Sequence, residues 1–359
     1  MENLQQATDN FIEAMSSPLS SNEEVNSLLQ GCFKHLSEAK TDDVNFFMKR
    51  VFALSGLPNI DRASLATTIC GYLVEKGFPS DAILPNMINL YDNLLNKSRI
   101  FYEMLYAEIR SIDELDENRE AKINKIFSNL VGDKEVISTE TYNAIVSLDK
   151  FYACAISLFS ISKDNLAAAK KRLGEKVAFV GAYNQGCYWV DRLFTVLFDE
   201  PIVVIDIDKK IGFKGKMSGV VDNYQLQQLL MGLPLLNDGK TSIPEEDLEV
   251  INGEGEQKTE RSIECKWNMY NLELCEQTNW QRIVNNTENP SQPVDFRNTW
   301  IWGEGTPSDI SIHDGYRVVL LGTSSYSRSS TVQRTFKNLK ASIEIEKELS
   351  SKEIDNWLE

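Results

Sequence analysis

Apolar residues recur at helical spacing through the first half of the chain. Val25, Leu28, Leu29, Cys32, Phe33 and Leu36 follow the i, i+3, i+4, i+7 rule, and Val44, Phe47, Met48, Val51 and Phe52 repeat it before Gly56 and Pro58. The same spacing predicts a helix that Asp61 caps and that ends at Gly77, a fourth around Met87–Leu95, and another marked by Ile123, Ile126, Phe127 and Leu130. Tyr142 to Ile161 is apolar on enough sides to be a central helix. Six to eight helices follow in all. No set of large and small residues recurs at about 34 or about 40 residues, so the pattern predicts an irregular bundle or HEAT-like stack and not a regular solenoid.

The pattern changes near residue 175. All six Trp and 13 of the 19 Gly lie beyond it. After a helix-like segment, Tyr188–Phe198, the apolar positions alternate: Val203, Ile205 and Ile207 with polar neighbours Asp206 and Asp208, then Ile211, Phe213 and Met217 with Lys210, Lys214 and Lys216. Period two predicts a β-hairpin. With Lys209–Ile211 as its loop, Ile207 faces Phe213, Val203 faces Met217 and Asp206 faces Lys214. Asp222 opens a short helix, and Asn237–Glu260 carries the Gly, Asp and Glu of a mobile acidic loop. Short strands follow at NTWIWGEGTPSDI, GYRVVLLG and ASIEIEKEL, with a final helix around Ile354–Leu358. The expectation is an α+β chain: a helical domain over 1–175, then an α+β domain over 176–359 with a mixed or antiparallel sheet.

Charge narrows the partners. The 359 residues hold 37 Lys+Arg against 53 Asp+Glu, a formal net charge of −16. That excess of carboxylates opposes a sequence-independent grip on phosphate backbones or anionic lipid, so neither nucleic acid nor membrane is an expected partner. No apolar run reaches the roughly 18 residues of a membrane span, and no basic, then apolar, leader opens the chain. The six cysteines form no CxxC pair, and Cys32, Cys70 and Cys154 sit among apolar residues as reduced thiols do. A cytoplasmic protein is the expectation.

Candidate chemistry begins at Val203–Asp208, an apolar strand ending in Asp206-Ile207-Asp208. It resembles the opening motif of haloacid-dehalogenase-type phosphotransferases. The resemblance implies Asp206 as nucleophile, Asp208 as general acid/base and Mg2+ held between them. It covers six residues, and Lys210 stands where that family has a hydroxyl residue. The hairpin reading instead makes both carboxylates cross-strand partners of lysines, and it accounts for more of the pattern. Gly181–Gly186 follows an apolar run but lacks the Lys and Ser/Thr of a phosphate loop, which leaves a Gly-bounded turn. No cofactor is expected otherwise.

Two stretches look like a family fingerprint: Gly219-Val220-Val221-Asp222-Asn223-Tyr224-Gln225-Leu226, and Trp302-Gly303-Glu304-Gly305-Thr306-Pro307-Ser308-Asp309-Ile310 with Arg317–Gly322 after it. They resemble an uncharacterised family of bacterial proteins, and that resemblance implies no activity. Tyr224 and Ser311 depart from its pattern, where Phe and Pro are expected. Physically the region gathers Asp222, Asn223, Gln225, Glu304, Asp309 and His313 on turns beside aromatic residues. One reading is a small ligand or cation site; the other is a set of caps, with His313, Asp314 and Gly315 as a hairpin turn. Trp300 and Trp302, two apart, share a sheet face, either in the core or as a partner-binding patch. The hydroxyl-rich stretch from Thr323 to Thr331 reads as a polar loop. With no complete catalytic set, the leading expectation is a protein-interaction or scaffold protein. A Mg2+-dependent hydrolase on Asp206 and Asp208 and a small-ligand sensor are the alternatives.

Overall fold

The computed structural model describes residues 3–358 except 114, 134–136, 238, 240–241, 258–260, 273–299 and 325–326; Cys275, Trp280 and Ser325 therefore lie outside the described residues. The chain divides into two compact units, Met1–Phe194 and Thr195–Glu359, an α+β composition with a helical first part. The first unit runs nineteen residues past the composition change near residue 175.

Among the described residues, nine α-helices build the first unit: α1 (Leu4–Ser16), α2 (Asn22–Leu36), α3 (Thr41–Phe52), α4 (Ile60–Glu75), α5 (Leu84–Ile109), α6 (Arg119–Gly132), α7 (Thr139–Phe159), α8 (Lys163–Gly181) and α9 (Gln185–Phe194). Their starts are set locally. Ser21, Ser138 and Ser162 each accept a hydrogen bond from the backbone N–H three residues on, satisfying a donor the first turn leaves orphaned. Asn59, and not Asp61, caps α4, taking the N–H groups of Asp61 and Arg62. Asn184 does the same for Cys187 at the start of α9, so Gly181–Gly186 is the turn between two helices. α7 packs against α4, α5 and α9, as its apolar circumference requires. Leu148, Phe151, Leu158 and Phe159 are buried within it, and the Phe159 ring stacks on Phe194 with centroids 6.1 Å apart. α5 and α8 are tied by Asp92, nearly fully buried, which accepts from Arg172 Nε (3.0 Å) and Nη2 (2.6 Å) and from Lys176. Burial raises the Asp92 pKa, but the hydrogen bonds from Lys176 and Arg172 prevail and hold it below the usual carboxylate range. No described helix is long and apolar enough to cross a membrane.

The second unit holds a six-stranded mixed sheet of order β4-β6-β1-β2-β8 with β5 also on β6: β1 (Glu200–Asp206), β2 (Ile211–Ser218), β4 (Trp267–Asn271), β5 (Ile312–His313), β6 (Tyr316–Thr323) and β8 (Ser342–Glu348). β1 and β6 run parallel; the other pairs are antiparallel. β3 (Arg261–Glu264) pairs with β7 (Ser329–Val332) in a separate ribbon, so part of the hydroxyl-rich stretch is strand and not loop. The expected hairpin exists, but its register differs by three residues. Val203 faces Lys214 and Asp206 faces Ile211, with residues 207–210 as the turn. The reason is that β1 is central and covered on both faces. Ile202 and Val204 point with Phe213, Met217, Val319 and Leu321 toward α10 (Asn223–Met231). Val203, Ile205 and Ile207 point with Val318 and Leu320 toward Leu349 and Ile354, the latter in α12 (Ser351–Leu358). A strand buried on both sides has no polar face for its register to read. Within the expected acidic loop lies α11 (Glu245–Ile251), whose Val250 and Ile251 join the core.

Candidate functional site

The two fingerprint stretches, some 80 residues apart, meet at the start of α10. Asn223 N–H donates to Gly305 O (3.1 Å), Tyr224 N–H to Gly303 O (3.0 Å), Asn223 Nδ2 to Trp302 O (2.8 Å) and Tyr224 Oη to Glu304 Oε1 (2.8 Å). Asp222 Oδ1 takes the next N–H, that of Gln225, at 2.8 Å. All three leading donors of the helix are thereby satisfied, so its N-terminus is closed to an anion. Gly303 is required by packing: a Cβ there would sit 2.4 Å from the Tyr224 ring. Burial and the hydrogen bond to Glu304 raise the Tyr224 phenol to about 12.

The predicted cluster is only partly assembled. Asp222, Asn223 and Gln225 share one helix start, and Glu304 reaches them through Tyr224. Gln225 is itself committed, accepting from Val221 N–H and donating to Ile251 O. Asp309 Oδ2 accepts from the N–H and Oγ1 of Thr306, both at 2.9 Å, closing the turn after Pro307. It lies close to Asn223: a Cβ on Gly305 would be 3.1 Å from Asn223 Nδ2 and 3.6 Å from Asp309 Oδ2. His313 stands apart on β5, in a hairpin whose turn, Asp314-Gly315, has φ of 49° and 81°. No hydrogen bond joins His313 to Glu304 or Asp309 among the described residues.

Asp206 ends β1 and Asp208 lies in the turn after it, beside the carboxyl end of the parallel neighbour, β6. Asp206, 2% exposed, accepts from Lys209 N–H at 3.0 Å within the turn. Asp208 Oδ2 accepts from Thr323 N–H (2.8 Å) and Oγ1 (2.6 Å). Neither faces a lysine in the register that cross-strand pairing requires. No group of three or more His, Cys, Asp or Glu that could hold a metal ion exists among the described residues. The described residues therefore do not make up a Mg2+ set: Asp206 closes the turn after β1, and Asp208 ties that turn to Thr323 at the end of β6.

Two concave surfaces add residues that sequence patterning passes over. On the α+β unit, a cleft of about 210 Å3 opens between α10 and the β7 strand with its continuation, walled by Tyr224, Gln228, Ser329, Thr331, Gln333 and Thr335. Asp222 and Gln225 also line it. On the helical unit, a groove of about 330 Å3 runs between α5 and α8. Its floor is Leu95 and Val180, both buried. Its wall is the edge-to-face pair Tyr106 and Phe179, centroids 6.3 Å apart and 48% and 37% exposed. Arg99, Glu103, Glu175 and Lys176 rim it. Tyr106 and Phe179 sit on helices whose apolar spacing is satisfied without them, so periodicity carries no sign of the groove. Trp300 and Trp302 lie side by side, ring centroids 6.0 Å apart, with Trp300 against Tyr270 and Trp302 half exposed.

No family model matches the chain, and neither a curated protein nor a solved structure is similar to it.

Proposed function

We propose that the chain is a protein-interaction module whose helical unit seats an apolar anchor of a partner protein in the groove between α5 and α8. The observation that carries the reading is the exposed aromatic wall of that groove. Tyr106 and Phe179 hold two rings at the surface over a buried aliphatic floor. Ile100, 66% exposed, lies on the same face of α5 as Asn96 and Glu103, one helical turn away from each. Apolar surface of this kind, rimmed by polar side chains, is where partner burial gains most. The rim carries both signs of charge, which suits an amphipathic helix with an aliphatic or aromatic anchor flanked by mixed charges. The cleft of the α+β unit lacks such an apolar wall.

The test is capture of partners by the tagged full-length chain from its native extract, beside the double variant Ile100→Glu/Phe179→Glu and the control Trp302→Ala. The expected result is a stoichiometric protein retained by wild type and by the control and lost by the double variant, whose helical circular dichroism is unchanged. A partner retained equally by all three overturns the groove. A clean, partnerless chain overturns the interaction reading itself.

A further inference from the structure

We infer that the cleft between α10 and β7 is a binding site for a small, neutral, polyhydroxylated molecule of the size of one sugar ring. Its centre is Gln228, 2% exposed. Gln228 Nε2 donates to Ser330 Oγ at 2.8 Å and to Thr331 O at 3.1 Å. A main-chain carbonyl can only accept, so this pair sets which end of the amide is the nitrogen. The carbonyl end, Oε1, accepts no hydrogen bond from a described residue. An amide oxygen held in one orientation beside a cleft and lacking a protein donor is an acceptor open to a ligand or an ordered water.

The remaining walls point the same way. Ser329, Thr331, Gln333 and Thr335 line the cleft with side chains that make no hydrogen bond to another described residue. Each both donates and accepts. The volume of about 210 Å3 leaves room for a single ring with its hydroxyls. Other ligand classes fit poorly. Among the described residues no Lys or Arg lines the cleft, Arg328 lying over the Tyr224 ring, and the first N–H groups of α10 are already used while the Asp222 carboxylate stands at its edge, so an anion meets no donor set. A cation meets one carboxylate and no cluster. An apolar molecule would strip water from four free polar side chains and return nothing. A hydroxyl-rich neutral ligand can both donate to and accept from these groups.

The experiment is nuclear magnetic resonance titration of the full-length chain with glucose, galactose, mannose, N-acetylglucosamine and myo-inositol, and separately with inorganic phosphate. The expected result is a saturable shift confined to residues 224–228 and 329–335 for at least one neutral probe at millimolar concentration, with none for phosphate. Thr331→Val, an exposed wall position, is expected to leave the spectrum folded and weaken that binding about tenfold, the loss of one good hydrogen bond. Gln228→Leu is expected to abolish it. Absence of saturable shifts for all five neutral probes overturns the proposal. So does phosphate binding in their place, or sugar binding that both variants leave intact.

Discussion

The two units solve the problem of specifying a fold in opposite ways. In the helical unit most helices are marked within their own sequence: α1, α2, α4, α7, α8 and α9 each start at a Ser or Asn whose side chain caps the first turn, and most carry an apolar stripe at helical spacing. In the α+β unit the defining contacts join residues far apart. β1 lies between β2, a turn away, and β6, more than 100 residues on, and the start of α10 is completed by a loop some 80 residues later. Locally encoded elements tolerate loss of a distant contact, whereas the helix start at Asp222–Gln225 depends on Gly303 and Gly305 for its hydrogen bonds. That dependence is also what puts polar side chains of α10 at the edge of a cleft.

The comparison can be broken most forcefully at the core of the helical unit. Phe159→Ala removes a fully buried ring from the central helix and its stack on Phe194, and is expected to cost about 3–5 kcal/mol. The check is chemical denaturation followed by helical circular dichroism; a cost below about 1 kcal/mol would mean that α7 is not the centre of this unit. Gly303→Ala acts on the long-range joint of the other unit. Its Cβ would meet the Tyr224 ring at 2.4 Å, so the loop must lift, at about 1–3 kcal/mol. The readout is ultraviolet titration of the phenol. Tyr224, raised to about 12 by burial and Glu304, is expected to titrate closer to the ordinary tyrosine value once the loop withdraws.

The smallest effect sharpens the contrast, because it concerns a long-range polar tie within the helical unit. Asp92→Asn is expected to cost about 1–2 kcal/mol at neutral pH, the low end for charged hydrogen bonds because Arg172 and Lys176 are well exposed. The sign of its pH dependence follows from the depressed carboxyl pKa of the folded state. The contribution is complete above the unfolded value near about 4 and is lost as pH falls through the lower folded value. Stability curves of wild type and variant are therefore expected to converge in acid. Parallel curves down to the lowest pH would refute the tie.

Sequence alone determined the class of the chain, a helical first part followed by a sheet with few helices, because amphipathic periodicity is a local property set by burial of one face. It also determined the helix start at Asp222, the Asp314-Gly315 hairpin turn and the Gly181–Gly186 turn, since caps and left-handed residues act within three or four positions, and it placed the start of α4 within two residues of Asn59. The register of β1 on β2 was beyond it: Ile202–Ile205 is apolar at every position, and only β6 and the layers on both faces decide which residues pair. The candidate site was half legible. Asp222, Asn223, Gln225 and Glu304 stand out as polar residues on turns, yet the structure spends most of them on closing the helix. Gln228, Ser329 and Thr331, the groups it leaves with hydrogen-bonding capacity, look like ordinary helix and loop residues until the fold sets α10 beside β7. Which polar atoms are satisfied depends on neighbours from distant segments, and that accounting exists only in three dimensions.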